Sequence, residues 1–319
     1  MSRTPPRLSV IIPAHNAASV IGEQLEALRE QEGAEPFEVL VCDNNSTDGT
    51  AQRALDDAGS LDLRVVDASG PASASHARNR GAAAAAGEIL LFCDADDLVD
   101  PQWVVELSTP LSRGADVLVA SALHHQRFND AEVLRAYDIG PDPDRASVPD
   151  ESSHPPPYAG YLPTVPGNGF AIRRDRYLAL HGMDHSYPGG AEETDFAWRA
   201  QLAGVRVVVR PHAVVHYRLK DAPRPLFRQQ RIQNFARILL WTRYREQGMS
   251  GPSTAYSLSE VARQLPGLLR RQSRADLLRT ARILGGNLGA LQGILVFRIL
   301  HRSPTPRTDE IALSEAPGQ

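Results

Sequence analysis

Apolar and polar positions alternate along the first half of this chain in blocks of two kinds. Short, nearly continuous apolar runs rich in β-branched residues read as strands buried on both faces of a sheet. They occur at residues 8–13, 37–42, 61–66, 88–93 and 116–123. Between them lie stretches with helical spacing: 17–30 with Ile21, Leu25 and Leu28 on one face, 50–58, the alanine-rich 75–86 closed by Gly87, and 101–111. Alternating elements with short connections predict an α/β domain with a parallel sheet and right-handed crossovers. Residues 138–166 lose periodicity and are rich in proline, the signature of a lid or binding loop. Order returns at 167–172 with a helix near 174–181. A helix follows from Ala191 with Phe196, Trp198 and Leu202 among its apolar positions, then strands at 205–209 and 213–217. From Pro225 the pattern is helical: 226–247, 257–284 and a shorter piece to Leu300. The reading is therefore a domain over 1–222, a helical region over 223–302, and a disordered tail over 303–319.

The strand at 88–93 stops abruptly at Asp94, Asp96 and Asp97. Carboxylates this close repel unless a cation lies between them, and in open α/β sheets ligands bind beyond the carboxyl ends of strands. Taken alone, the run fits a metal-bearing rim and a solvated acidic turn before a helix starting at Asp100-Pro101 equally well.

Composition narrows the class. At 319 residues, 42% hydrophobic and 23% charged, the chain has ample material for a core. No signal-peptide pattern opens it and no apolar stretch reaches spanning length; 284–300 is interrupted by Asn287, Gln292 and Arg298. Cys42 and Cys93, each before an Asp at a strand end, predict buried free thiols and a reducing, cytoplasmic setting. The net charge of −4 hides a division. Residues 223–319 carry fifteen arginines against six acids, a net +9, and residues 1–222 carry −13, with Lys220 the only lysine in the chain. The arginine-rich helices admit three readings: a packing or homodimer element, peripheral membrane contact with anionic lipid, or a phosphate patch for a charged acceptor. No nucleic-acid-binding motif accompanies the charge.

Six segments in order carry a more specific signal: Val10-Ile-Ile-Pro-Ala-His-Asn16, Val41-Cys-Asp-Asn-Asn-Ser-Thr-Asp-Gly-Thr50, Ala77-Arg-Asn-Arg-Gly81, Asp94-Ala95-Asp96, Gly167-Asn168-Gly169-Phe170 and Glu192-Glu-Thr-Asp195. Together they resemble the family 2 glycosyltransferases of the GT-A fold over residues 7–218. The resemblance implies a Rossmann-like, mixed, mainly parallel sheet flanked by helices. It also implies inverting transfer of a sugar from a nucleoside diphosphate, UDP by expectation, to an acceptor hydroxyl or amine. The acceptor class stays open among glycan, lipid-linked carrier, natural product and peptide. By the same resemblance Pro13, Ala14, His15, Asn16 and Asp43 line the base pocket, and Arg78 lies near the nucleotide. Asp94 is placed at the ribose and Asp96 at a Mn²⁺ or Mg²⁺ ion, with Ala95 between them. Gly167, Asn168, Gly169 and Glu192 are placed around the sugar or acceptor, the glycines allowing close backbone approach. His216 is placed as an added metal ligand, its alternative being a packed or surface histidine. The family usually shows Glu-Asp where this chain has Glu192-Glu193, so the expected base is Glu193, with Asp195 second; acidic residues also suit a helix's first turn for its dipole alone. Competing classes are a catalytically silent nucleotide-sugar scaffold and a sugar-phosphate nucleotidyltransferase. The second normally needs a Gly-rich basic loop, and residues 13–19 contain neither Gly, Lys nor Arg.

Overall fold

A computed structural model describes residues 7–149, 153–269 and 272–308. The N-terminal half follows the sequence pattern closely: β1 (Leu8–Ala14), α1 (Ile21–Arg29), β2 (Phe37–Asp43), α2 (Thr50–Asp56), β3 (Asp62–Asp67), α3 (Ala74–Ala84) and β4 (Ile89–Cys93). A two-residue strand, β5 (Leu98–Val99), then precedes α4 (Trp103–Ser112), β6 (Val117–His124), α5 (Ala131–Tyr137), β7 (Gly169–Arg173), α6 (Arg174–Ala179), α7 (Glu192–Leu202) and β8 (Arg206–His216). Three helices complete the described chain: α8 (Pro223–Tyr244), α9 (Thr254–Gln264) and α10 (Arg274–Gly293), the last running into a π-helical turn at Ile294–Ile299.

The eight strands form one mixed sheet in the order β3-β2-β1-β4-β7-β6-β8-β5. β3, β2, β1 and β4 are parallel, β7 runs antiparallel between β4 and β6, and β8 pairs parallel with β6. Strand alternation sorts the core into two layers. Leu8, Val10 and Ile12 of β1 join Ile89 and Leu91 of β4 beneath Ile21, Leu25, Trp103 and Leu107. Ile11, Leu90 and Phe92 point to the opposite face and meet Phe170, Tyr177 and Phe196. Gly81 explains how closely α3 lies on that face, since a Cβ there would sit 2.5 Å from Ile11 and 2.6 Å from Cys42. Both cysteines are free and buried, and burial pushes the Cys42 thiol up to about 12.

Three sequence expectations change. The strands expected at 205–209 and 213–217 are one element, β8, whose register against β6 jumps between Ser121 and Ala122. Pro211, which lacks a backbone donor, lies in the segment that loops out. The helix expected over 257–284 is two, because Pro266-Gly267 ends the first before α10 begins. The proline-rich segment does not stand off as a free lid throughout. Trp198 Nε1 donates to Leu162 O at 2.9 Å and Gln201 Nε2 to Pro163 O at 2.8 Å, which fastens its end to α7. Elements β5 and α5 have no counterpart in the sequence pattern.

The C-terminal helices share a core with the sheet domain. Tyr187 and Trp198 are buried with Ile238, Leu239, Tyr244, Ile294 and Phe297. No helix among the described residues is long and apolar enough to cross a membrane. In the tail, Arg307 N donates to Asp184 Oδ1 at 2.9 Å; residues 309–319 lie outside the described residues.

Candidate active site

The site forms where β1, β2 and β4 end on the same edge of the sheet. There a cavity of about 950 Å³ opens between the loops. One wall is Pro13, Ala14, His15 and Asn16; another is Asp94, Ala95 and Asp96; Tyr187, Gly189 and Glu192 face them across it. The segment after β8, from Arg218 to Asp221, and Arg307 close the rim.

The β1 loop is shaped by side chains of the next loop. Asn16 adopts a left-handed φ of 51° and accepts from Thr47 N at 2.9 Å. His15 Nδ1 lies 2.7 Å from Asn44 O. Asn44 is buried and ties its own loop to residues 68–73, donating to Ala68 O at 2.5 Å and Pro71 O at 3.1 Å while accepting from Ser73 N at 3.1 Å. Asp43 does not line the cavity; its Oδ1 accepts from Ser46 N at 3.1 Å and shapes the turn.

Asp94, Asp96 and Asp97 offer oxygen atoms that all lie within 4.8 Å of one another. Hard divalent cations take carboxylate oxygens in such clusters, so the donor set fits Mn²⁺ or Mg²⁺. The three differ in environment. Arg78 Nη2 donates to Asp94 Oδ1 at 2.6 Å. Burial raises Asp94 above the usual carboxylate range, and Arg78 opposes that shift. Asp97 is 1% exposed, accepts from Asn168 Nδ2 at 2.5 Å and from Arg218 N at 3.1 Å, and is pushed up to about 8 by burial and then by Asp94 and Asp96. Asp96 is the open member, 46% exposed beside Lys220. The loop is held from behind by α1: Gln24 Nε2 donates to Asp94 O at 3.2 Å and its Oε1 accepts from Val99 N at 3.1 Å.

His216 lies outside this cluster. Its Nε2 is 3.1 Å from Asp100 Oδ1, and its ring meets His124 edge-on. Asp100, the helix cap in the alternative reading of the acidic run, precedes the actual N-cap Gln102 and partners that histidine.

At the start of α7 the acidic residues separate by environment. Glu192 is buried and its Oε2 has no hydrogen-bond partner among the described residues; burial raises its pKa. Glu193 is half-buried, and burial followed by the Glu192 charge pushes it up to about 8. Asp195, by contrast, is fully engaged. Its Oδ1 accepts from Tyr187 at 3.1 Å and Tyr244 at 2.9 Å, and its Oδ2 from Arg199 Nε at 2.8 Å. The second candidate base is thus a tie between α7, α8 and the loop before α7.

The glycine segment plays two parts. A Cβ on Gly167 would come within 3.6 Å of Arg78 Nη2 and 3.7 Å of Glu193, which places this residue beside both. On Gly169 it would sit 2.7 Å from the Ser121 side chain, so that glycine serves close packing of β7 on β6 rather than a ligand. Neither glycine lines the cavity, and Asn168 turns inward to Asp97. Gln24, Asn44 and Tyr187 are not among the residues the sequence singles out, whereas Asp97, in the acidic run, and Lys220, the chain's single lysine, carry a visible signal there.

Comparison with known proteins gives a consistent answer. The family model described as glycosyl transferase family 2 matches residues 9–174. Glycosyltransferase AglE of Haloferax volcanii is 36% identical over 141 residues, 43% of this chain and 46% of the relative, so the match spans under half of that protein. Among solved structures, the mannosyltransferase PcManGT from Pyrobaculum calidifontis, in complex with GDP-Man and Mn²⁺, has a TM-score of 0.58 at 21% identity. That alignment covers 91% of this chain and 88% of the other. TarS residues 1–349 from S. aureus, in complex with UDP-GlcNAc, has a TM-score of 0.52 at 17% identity, covering 90% and 91%. These two likenesses establish the fold.

Proposed function

Because the chain belongs to glycosyl transferase family 2, we propose that it transfers a sugar from a nucleoside-diphosphate donor to an acceptor nucleophile, with inversion and with Glu193 as the base. The observation that carries this reading is one cavity lined by the β1 loop, Asp94, Asp96 and Glu192 at the start of α7, with Glu193 next to Glu192 and beside Gly167 rather than on the lining itself. The Pro13–Asn16 wall, where His15 Nδ1 lies 2.7 Å from Asn44 O, would take the nucleobase. Arg78, bonded to Asp94, holds that carboxylate in place on the β4 loop. Asp94 and Asp96 would hold Mn²⁺ or Mg²⁺, which when bound supplies positive charge opposite a leaving diphosphate.

Glu193 takes the proton from the acceptor hydroxyl as its oxygen bonds to the anomeric carbon. The bond from that carbon to the diphosphate oxygen breaks, and its electron pair leaves on the diphosphate. A base with a pKa near 8 has a strong drive to take that proton, provided it is ionised. Glu192, with one oxygen unpartnered on the cavity wall, accepts a hydrogen bond from the sugar. The GDP-Man and UDP-GlcNAc ligands of the structural neighbours make guanosine- and uridine-diphosphate sugars the first donors to try.

Thermal unfolding with UDP, GDP and their sugars, each with Mn²⁺, Mg²⁺ or chelator, tests the donor site. A ligand that binds only the folded state raises the midpoint, by ~2.7 kcal/mol of stability at a hundred times its dissociation constant. Metal-dependent stabilisation that Asp96→Asn abolishes is the expected result. No shift with any nucleotide from well-folded protein would sink the reading.

A further inference from the structure

Lys220 is the only lysine beside thirty-three arginines, and it lines the donor cavity. Its Nζ is 3.6 Å from Asp96 Oδ2, and the two side chains are 44% and 46% exposed. The backbone that carries it is fixed on three sides. Arg218 N donates to Asp97 Oδ1 at 3.1 Å, Leu219 N to Asn129 Oδ1 at 3.0 Å, and Tyr137 OH to Lys220 O at 3.0 Å. Asn129 is anchored in turn, donating to Tyr217 O at 2.8 Å and His125 O at 2.7 Å. A flexible four-carbon stem therefore leaves a rigid base at the cavity rim. The neighbouring cation is committed elsewhere: Arg218 pairs with Glu23 and stacks 3.7 Å over the Phe128 ring.

The residue type matters here. An arginine would fork onto the Asp96 carboxylate and stay, whereas an ammonium is a compact charge that exchanges partners readily. Asp96 is the most open of the three aspartates, and Lys220 is the basic side chain paired with it. Resting on the donor-site reading above, we propose that Lys220 is an exchangeable counterion of that site. Without ligand it neutralises Asp96 and competes with a divalent cation for that carboxylate. With the donor bound it turns to the diphosphate and adds a second positive charge on the leaving group.

Two binding measurements with opposite expected signs test this. In the first, Mn²⁺ is titrated without nucleotide into native protein, Lys220→Ala and Lys220→Gln, with free Mn²⁺ followed by electron paramagnetic resonance. Removing an exposed ion-pair partner should tighten Mn²⁺ by about two- to fivefold. In the second, UDP and GDP are titrated calorimetrically at saturating Mg²⁺. Loss of a charge-assisted contact to the diphosphate should weaken the nucleotide that binds native protein by about tenfold, and Lys220→Arg, held on Asp96, should not restore it. A variant that merely loosened the loop would weaken both, and that result overturns the proposal. Unchanged Mn²⁺ affinity or unchanged nucleotide affinity overturns it as well. If native protein binds neither nucleotide, the donor-site reading falls first and this one with it, an outcome distinct from native binding that Lys220 does not affect.

Discussion

Glu193 and Asp195 lie two positions apart on one helix turn, and their surroundings differ: Asp195 accepts from Tyr187, Tyr244 and Arg199, while Glu193 sits beside Glu192 and is raised by burial. Glu193→Gln should lower turnover by about 10² to 10⁴ while leaving donor binding intact, since general-base contributions fall in that range. With Glu193, the proposed base, at about 8, kcat/KM should climb with pH up to about 8 and then level off, and the Gln variant should lose that limb. Stability gives an independent check. A carboxyl raised in the folded state binds its proton more tightly there than in the unfolded chain, so its contribution is complete below 4.5 and is lost as pH rises to about 8. Glu193→Gln escapes that loss, so its melting temperature should exceed the native value increasingly across that window. Asp195→Asn should instead cost ~1–3 kcal/mol at neutral pH by spoiling a buried hydrogen-bonded group, with the pH profile unmoved. The acidic cluster at 192–195 was legible in the sequence because three carboxylates in one turn need an explanation. Which of them is free was not, because the tyrosines that occupy Asp195 come from residues 187 and 244.

At the scale of elements, hydrophobic period identified β1 through β4 and their helices, whose core faces repeat every two or 3.6 residues. It said nothing of packing distance. Helix α10 lies on α8 through Gly285, Gly289 and Gly293, and a Cβ on Gly289 would stand 2.1 Å from Arg231 O. The obstacle is backbone, which cannot rotate away, so Gly289→Ala must push the helices apart. It should cost ~1–3 kcal/mol, read as a lower denaturant midpoint. The same substitution at Gly114, whose Cβ would meet nothing within 4 Å, carries only backbone strain at a φ of 85°. Strand β8 shows the opposite limit of legibility: a proline in an apolar run read as an end, yet the sheet tolerates it by looping three residues out of register.

For the whole molecule, the split of charge along the sequence becomes contact in space. Arg274 pairs with Asp130 and Asp221, Arg279 and Arg282 with Asp138, and Arg243 with Asp184. Four of the fifteen arginines after residue 222 thus pair with acids of the first part. The packing reading of the C-terminal helices accounts for these cations; composition could show the imbalance but not where it is discharged. Chain ending at residue 222 would expose Trp198 and Tyr187 and free Asp195 from Tyr244. Such a truncation should be recovered as aggregate or as a form lacking near-ultraviolet circular dichroism, whereas 1–308 should unfold in one cooperative transition. The joint core also bears on how new specificities could be bred into this scaffold. Grafting the C-terminal helices of another family member would present foreign side chains to Trp198, and through Tyr244 would disturb the turn that holds Glu193. Recombination at the domain junction is therefore a poor route to a new acceptor range here. Libraries that vary the cavity rim while conserving the buried seam are the better starting stock.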